Sequence, residues 1–225
     1  MKGKLIVIEG LDGSGKATQA EKLCAALIEK GADVRKVSFP NYGSPSSALV
    51  KMYLGGELGD RPDDVNAYAA STFYAVDRYA SYKKYWQKEY ESDKIVVANR
   101  YTTSNACHQM TKLPKEKWDE YLEWLFEFEY EKMGIPKPDG VIFLDMPTDI
   151  SQKLLLKRYK GDENKKDVHE KAVDYLVACH EAAVYAAEKL GWCRIICGKD
   201  GEPLTIDEIS QMVICETERM LFGNA

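Results

Sequence analysis

The 225-residue chain has few histidines, no pair of cysteines in a CxxC motif and none of the long apolar runs of membrane spans. It has three histidines, and its six cysteines are scattered without a CxxC pair, which favours reduced cysteines that pack in the core. No apolar run approaches the ~20 residues that a membrane-spanning helix requires. The run at residues 5–8 is too short for the core of a signal peptide. We therefore expect a cytoplasmic protein without a membrane partner.

An excess of positive charge is also missing. Lys and Arg number 31 against 36 Asp and Glu, which makes the formal net charge −5 at pH 7. Nucleic-acid-binding domains usually carry clustered basic residues, so this balance argues against a nucleic-acid polymer as partner. Hydrophobic residues make up 45% of the chain, enough for the full core of one domain that spans residues 1–225.

Five short, almost continuously apolar segments predict strands that are buried on both faces of a sheet. The segments between them are long enough to be right-handed crossovers between parallel strands. The predicted strands are residues 4–8, 34–39, 94–98, 140–144 and 193–197, and the predicted helices are residues 18–30, 63–92, 114–132 and 167–190. This pattern predicts an α/β fold, a three-layer sandwich with a five-stranded parallel sheet flanked by helices.

Glycines cluster directly after the first predicted strand. The sequence GLDGSGK at residues 10–16 fits GxxxxGK and lies between a strand and a helix, the setting of a phosphate-binding loop. In such a loop, backbone N–H groups and the positive end of a helix hold phosphate oxygens, and Lys16 adds a full charge for the β- and γ-phosphates. The predicted ATP-binding residues are Gly10, Leu11, Asp12, Gly13, Ser14, Gly15, Lys16, Ala17 and Thr18.

The loop departs from the full motif at one position. Ala17 follows the lysine, where the motif has a Ser or Thr hydroxyl for Mg²⁺. The metal therefore needs other oxygen ligands. We predict that Asp12 and Glu9 supply carboxylates, completed by nucleotide phosphates and water.

Three further motifs follow the loop: FPNYG at residues 39–43, FYAVDRY at 73–79 and NRYTTSNACHQ at 99–109. In this order and spacing, the four motifs resemble those of the thymidylate kinases, a nucleoside monophosphate kinase family with a fold of the P-loop kinase type. The resemblance covers nearly the whole chain. It implies a homodimeric enzyme of dTTP synthesis that uses Mg²⁺ and transfers the γ-phosphoryl group of ATP to dTMP, giving dTDP and ADP.

The resemblance also implies roles for individual residues. Tyr74 falls where the family stacks a Phe on thymine, Arg78 where an arginine donates to a thymine carbonyl, and Arg100 where an arginine holds the monophosphate. The implied dTMP-binding set is Asp12, Phe39, Tyr42, Tyr74, Arg78, Arg100, Ser104, Asn105, His108 and His169. The implied catalytic residues are Lys16, Asp12, Arg100 and Arg158. Arg158 belongs to a basic lid around residues 157–167, which would close over the transferring phosphoryl group.

Other positions depart from the family pattern. Asn99 stands where the family has Asp before Arg-Tyr, Asn41 replaces a frequent arginine, and His108 replaces a Tyr beside the sugar. An amide cannot act as a metal-bound carboxylate, although phosphoryl transfer depends mainly on positioning and charge neutralisation. Two alternatives therefore stay open at this point. One is a kinase for another pyrimidine nucleotide such as dUMP, and the other is a nucleotide-binding homologue with weakened catalysis.

Overall fold

The computed structural model describes residues 2–158 and 173–223. Its centre is a five-stranded sheet in the order β2-β3-β1-β4-β5, and all neighbouring strands are parallel. The five predicted strands are confirmed, with bounds that differ by at most one residue from those predicted. The strands are β1 Lys4–Glu9, β2 Val34–Ser38, β3 Ile95–Asn99, β4 Gly140–Asp145 and β5 Cys193–Ile196, and the short β6 Gly198–Lys199 and β7 Glu202–Pro203 form a separate antiparallel pair.

Helices cover both faces of this sheet. They are α1 Lys16–Glu29, α2 Ala48–Leu54, α3 Ala67–Ser81, α4 Gln87–Glu91, α5 Thr103–His108, α6 Trp118–Phe126, α7 Thr148–Arg158, α8 Val173–Leu190 and α9 Ile206–Phe222. Among these helices, none is long and apolar enough to cross a membrane. All six cysteines lie in the described part of the chain and are free. The prediction that they pack in the core is confirmed for Cys24, Cys107, Cys179 and Cys197, but it is wrong for Cys215, which is exposed on α9, while Cys193 is partly buried.

The side chains of β1 alternate between two hydrophobic cores. Ile6 and Ile8 pack with apolar residues of α1 and α9. Leu5 and Val7 point to the opposite face and pack with a cluster that includes Trp86. Because successive side chains of a strand point to opposite faces, the sheet is buried on both sides. The predicted three-layer α/β sandwich is thus confirmed.

The helix predicted at residues 63–92 is shorter than expected and interrupted. Asn66 caps it, since its Oδ1 accepts a hydrogen bond from the Ala69 N–H at 2.9 Å, and α3 therefore begins after Asn66. A π-helical segment, Tyr82–Trp86, then separates α3 from α4. Such i→i+5 segments leave the apolar pattern of a helix nearly unchanged, so the sequence did not reveal it.

The helix predicted at residues 114–132 is also shorter than expected and includes a π-helical segment. It starts with a 3₁₀ turn at Lys115–Lys117, continues as α6 and ends in a second π-helical segment, Glu127–Lys132. π-Helical segments occur frequently at functional sites. This one places a buried acidic residue, Glu129, against the site described below.

Candidate active site

The glycine-rich loop joins β1 to α1 at the carboxyl edge of the sheet. Gly10 requires the absence of a side chain, because a Cβ there would lie 2.6 Å from Ser14 Oγ and 2.8 Å from the Leu144 carbonyl oxygen. Gly15 precedes α1 with a φ of 83°, in the left-handed region. Within the described chain no side chain caps α1, and its first turn contains no acidic residue. The N–H groups of that turn are therefore available to phosphate oxygens.

Lys16 is buried at the start of α1, with its ammonium group folded over the loop. Its Nζ donates to the Leu11 carbonyl oxygen at 2.6 Å and lies 4.0 Å from Asp12 Oδ1. Burial and the nearby Arg100 charge lower the pKa of Lys16 to about 8, against the opposing effect of the Asp12 carboxylate. A phosphate group beside Lys16 would restore its charged form.

Arg100 connects the loop after β1 with the end of β3. It has a φ of 65°, in the left-handed region, and its backbone N–H donates to the Ile8 carbonyl oxygen at 3.1 Å. Its Nη2 donates to Asp12 Oδ1 at 2.7 Å, and its Nη1 lies 3.7 Å from Glu9 Oε1. Burial alone would raise the pKa of Asp12, but the charges of Arg100 and Lys16 outweigh it and hold this pKa well below its usual range. Asp12 is therefore a carboxylate at neutral pH.

The two predicted metal ligands have different surroundings. Glu9 is fully buried, and its Oε1 accepts from the Gly10 N–H at 2.9 Å while its Oε2 accepts from the Thr103 and Ser104 hydroxyls at 2.7 Å each. A metal ion at Glu9 would have to displace one of these donors. Asp12 is partly exposed and uses Oδ1 for Arg100, which leaves Oδ2 for a cation. Asp12 therefore fits Mg²⁺ better than Glu9 does.

The described residues contain no cluster of three or more His, Cys, Asp or Glu side chains that could by itself hold a metal ion. Mg²⁺ typically takes one or two carboxylates and completes its octahedron with water and substrate phosphates. The donor set around the loop fits that mode of binding. The assignment of Asp12 and Glu9 to the metal stays a prediction.

A cleft with an empty volume of ≈ 540 Å³ opens beside the loop. Nine of the ten predicted dTMP-binding residues line it, namely Asp12, Phe39, Tyr42, Tyr74, Arg78, Arg100, Ser104, Asn105 and His108. Pro40, Leu54, Tyr101 and Gln109, which the sequence analysis did not single out, also line it. The tenth predicted residue, His169, and the lid from residue 159 onward lie outside the described residues, and Arg158 is the last residue of α7.

Aromatic side chains line part of this cleft. Tyr74 lies on α3 with its ring perpendicular to that of Tyr53, at a centroid distance of 6.5 Å. Phe39 is buried and packs against Tyr101, with 5.7 Å between the centroids of the two rings. Tyr74 lines the cleft and is partly buried, and an aromatic ring at this position is of the type that stacks on a pyrimidine.

A buried ion pair stands behind the same part of the cleft. Arg78 Nε donates to Glu129 Oε2 at 2.7 Å, and Arg78 Nη2 donates to Oε1 of the same carboxylate. The Thr102 hydroxyl donates to Glu129 Oε2 at 2.9 Å, and Asn105 Nδ2 lies 3.4 Å from Glu129 Oε1. Sequence reasoning missed Glu129, because it lies among several acidic residues near the end of the helix predicted at 114–132, and the apolar spacing gives no sign that it is buried.

A second buried carboxylate that sequence reasoning missed is Asp77. It accepts from the Asn41 N–H at 2.7 Å and from the Ser46 hydroxyl at 2.6 Å. Asp77 thereby holds the FPNYG segment against α3. The sequence offered one indication of Asp77: it directly precedes Arg78 in the motif FYAVDRY.

His108 and Asn99, two of the departures from the family pattern, lie close to Arg100. Arg100 Nη1 lies 3.1 Å from His108 Nε2, and because arginine only donates, Nε2 is the acceptor in this contact. Asn99 Nδ2 donates to Ser38 Oγ at 3.0 Å. Asn99 Oδ1 is buried and has no hydrogen-bond partner among the described residues.

The chain is similar to known proteins of one family. The family model for thymidylate kinase matches residues 8–202. Thymidylate kinase from Mycobacterium tuberculosis is 31% identical over 204 residues, which cover 88% of this chain and 93% of that protein. The Caenorhabditis elegans thymidylate kinase is 28% identical over 160 residues, 67% of this chain and 66% of the relative.

The fold has a counterpart among solved structures. The structure of thymidylate kinase from Candida albicans aligns with a TM-score of 0.67 at 20% identity, covering 97% of this chain and 93% of the other. At that identity the alignment establishes the shared fold. The family is shown by the match of the family model over residues 8–202 and by the relative at 31% identity, and it is the family that the sequence motifs resemble. The chain belongs to the thymidylate kinase family.

Proposed function

We propose that this protein is an ATP-dependent kinase that phosphorylates dTMP to dTDP. The observation that carries the proposal is the contact between Arg100 Nη2 and Asp12 Oδ1 at 2.7 Å. It joins the loop that would hold the ATP phosphates to the cleft that would hold the monophosphate. Phosphoryl transfer requires the two phosphates to be held side by side, and catalysis then consists mainly of positioning and charge neutralisation.

On the donor side, the N–H groups of the loop and of the first turn of α1 bind the β- and γ-phosphates. Lys16 supplies a positive charge next to them and becomes fully protonated when they bind. Ser14 Oγ is buried and has no hydrogen-bond partner among the described residues, so it is a further donor for a phosphate oxygen. Mg²⁺, held by Asp12 with phosphates and water, would neutralise the charge that develops during transfer.

On the acceptor side, Arg100 binds the monophosphate through its planar set of donors. Tyr74 stacks on the base, while Arg78 and Asn105 contact its polar edge. Ser104 and His108 border the sugar and phosphate, with Arg100 Nη1 3.4 Å from Ser104 Oγ. Phe39 and Tyr42 complete the wall of the cleft.

The remaining parts of the proposal concern the lid and the assembly. Arg158 and the basic residues of the lid at 157–167 close over the transferring group and exclude water, which would otherwise hydrolyse ATP. His169, in the segment that follows the lid, is proposed as a neighbour of the nucleotide and lies outside the described residues. The enzyme is a cytoplasmic homodimer, and exposed side chains of α3 such as Val76 and Tyr79 provide an apolar surface for the second copy.

The test is a coupled ADP-release assay with ATP, Mg²⁺ and a panel of acceptors: dTMP, dUMP, UMP, dCMP, AMP, GMP and thymidine. Strong, selective turnover of dTMP is the expected result. Preferred turnover of dUMP or UMP would instead identify a kinase for another pyrimidine nucleotide. Thermal stabilisation by ATP without any ADP release would identify a nucleotide-binding homologue with lost catalysis, because a ligand stabilises any folded state that it binds selectively.

A further inference from the structure

The carboxylate of Glu129 contacts two cleft-lining residues at once. It lies on the π-helical segment Glu127–Lys132 and is fully buried. All the hydrogen-bond partners that it has are donors. They come from three separate elements: Arg78 on α3, Thr102 just before α5, and Asn105 on α5.

The contacts of Asn105 determine which atom of its amide the cleft receives. Asn105 Nδ2 lies 3.3 Å from the Ser71 carbonyl oxygen and 3.4 Å from Glu129 Oε1, so both of its protons face acceptors of the protein. The amide is planar, and Oδ1 is on its other branch. Since Asn105 lines the cleft, Oδ1 is the atom left for a ligand, and it can only accept a hydrogen bond.

The contacts of Arg78 leave the opposite chemistry. Its Nε and Nη2 bond side-on to Glu129, and Arg78 also lines the cleft. Nη1 lies on the other side of the guanidinium from Nε, so its two protons stay available to a ligand. The cleft therefore presents one acceptor and one donor next to each other.

This pair complements one class of pyrimidine. Thymine and uracil carry an N3–H donor beside an O4 acceptor, whereas cytosine carries an N3 acceptor beside an amino donor. We infer that Glu129 is a positioning residue that selects 4-keto over 4-amino pyrimidine monophosphates, by fixing the Asn105 amide and the Arg78 guanidinium in the orientations that match the N3–H and O4 edge. The inference rests on the proposed function, since it concerns the base of the same acceptor nucleotide.

The choice of an acid at this position follows from the same contacts. A glutamine would direct its NH₂ group at a donor from Arg78, Thr102 or Asn105, and a buried donor without an acceptor is unfavourable. A carboxylate accepts from all three and also balances the buried charge of Arg78. A carboxylate at this position thus adds a second acceptor, beside the Ser71 carbonyl oxygen, that keeps the NH₂ group of Asn105 turned away from the cleft.

The experiment compares kcat/KM for dTMP and dCMP in the wild-type protein, in Glu129→Gln and in Glu129→Asp. In Glu129→Gln the preference for dTMP over dCMP should fall by about tenfold or more, the scale of a mispaired buried hydrogen-bonding group. KM for ATP should stay the same, because Glu129 has no contact with the phosphate-binding loop. Glu129→Asp keeps the charge but moves the carboxylate away from Asn105. Its preference for dTMP over dCMP should therefore also fall, by less than in Glu129→Gln.

Tyr121→Phe is the matched control. It removes a buried hydroxyl that lies 2.6 Å from Ser71 Oγ and 3.4 Å from the Asn105 carbonyl oxygen, without touching the Asn105 amide or Arg78. It should lower the melting temperature and leave the dTMP preference unchanged. An unchanged preference in both Glu129 variants would overturn the inference, as would an equal fall in Tyr121→Phe. If the Gln variant does not fold, the Asp variant decides.

Failure of the proposed function has a different signature. If the wild-type protein phosphorylates no nucleotide, the inference is tested by binding, as the difference in thermal stabilisation between dTMP and dCMP. A difference that is present in the wild-type protein and reduced in Glu129→Gln would support the inference without kinase activity. Equal thermal stabilisation of the wild-type protein by dTMP and by dCMP would show that the inference is wrong.

Discussion

Arg100 Nη2 lies 2.7 Å from Asp12 Oδ1, although the two residues are 88 positions apart in the chain. The contact forms because β1 and β3 are parallel neighbours, so that the loops after them meet at the carboxyl edge of the sheet. Asp12 thus belongs to the glycine-rich loop and also lines the cleft, the two places that we propose for ATP and for dTMP. Changes at either residue should therefore affect both substrates, in proportions that the following variants measure.

Replacement of Arg100 by Met should weaken the use of dTMP more than the use of ATP. KM for dTMP should rise by at least about tenfold, since a charge-assisted hydrogen bond to phosphate contributes roughly 1.5–3 kcal/mol. The free energy of unfolding should fall by about 2–3 kcal/mol, because Asp12 and Glu9 lose their counter-charge in a partly buried site. Steady-state kinetics and urea unfolding measure the two effects.

The matched control for that variant is Arg35→Met. Arg35 Nε pairs with Glu89 Oε2 at 3.3 Å on the protein surface, where an ion pair contributes about 0–1 kcal/mol. Its kinetics should be those of the wild type. A dTMP KM in Arg100→Met that equals the wild-type value would show that the acceptor phosphate binds elsewhere.

The protonation of Lys16 should appear in the pH profile for ATP. In the free enzyme its pKa is lowered to about 8, and a lysine is charged only below its pKa. We expect kcat/KM for ATP to fall as the pH rises through about 8, because this parameter reports the ionisation of the free enzyme. At saturating ATP the bound phosphates raise the pKa of Lys16, so kcat should stay level to a higher pH. A kcat/KM that stays level up to pH 9.5 would contradict the assignment.

Replacement of Asp12 by Asn should raise the Mg²⁺ concentration needed for half-maximal activity. Loss of a carboxylate near a metal typically weakens metal affinity about 10- to 100-fold. The measurement is a Mg²⁺ titration at fixed ATP. Asp207→Asn, which changes an exposed acid paired with Lys22 at 2.8 Å, serves as control and should not shift the titration. An unshifted curve in Asp12→Asn would remove Asp12 from the metal site.

Replacement of Asn99 by Asp should increase activity. It restores the acid that the family pattern has at this position, next to Arg100 at the edge of the phosphate site. A carboxylate can help to hold Mg²⁺, which an amide does only weakly, and roughly 1 kcal/mol gained in this way would raise kcat by about fivefold. Asn99→Ala separates this effect from loss of the Asn99 contact to Ser38. A kcat that falls in both variants would show that the amide itself is required.

The local features of this protein could be predicted from its sequence. The five strands are short apolar runs, and runs of this kind are buried on both faces wherever they form a parallel sheet. The phosphate-binding loop is equally local, since its glycines and Lys16 are consecutive in the chain. The motifs that contain Tyr74, Arg78 and Arg100 were sufficient to identify the family before the fold was known, and the match over residues 8–202 confirms it.

The interruptions of the helices could not be predicted in this way. The apolar spacing of residues 63–92 and 114–132 indicates helix but does not distinguish an α turn from a π turn. Whether an α or a π turn forms depends on how each side chain packs against the neighbouring strands and helices. Glu129 lies in the π-helical segment Glu127–Lys132 and contacts the buried Arg78. Nothing in the sequence of this segment indicates that Arg78 is its partner.

The sequence by itself determined the five strands of the central sheet, the glycine-rich loop after the first of them and the family, whereas α2, α5 and α9 were not predicted from it. The tertiary structure alone decided the pairs that link distant parts of the chain: Arg100 with Asp12, Arg78 with Glu129, and Asn41 with Asp77. The physical reason is that a strand or a phosphate loop is specified by neighbouring residues, whereas a buried charge takes its partner from whichever element the packing of the sheet and helices places within hydrogen-bonding distance.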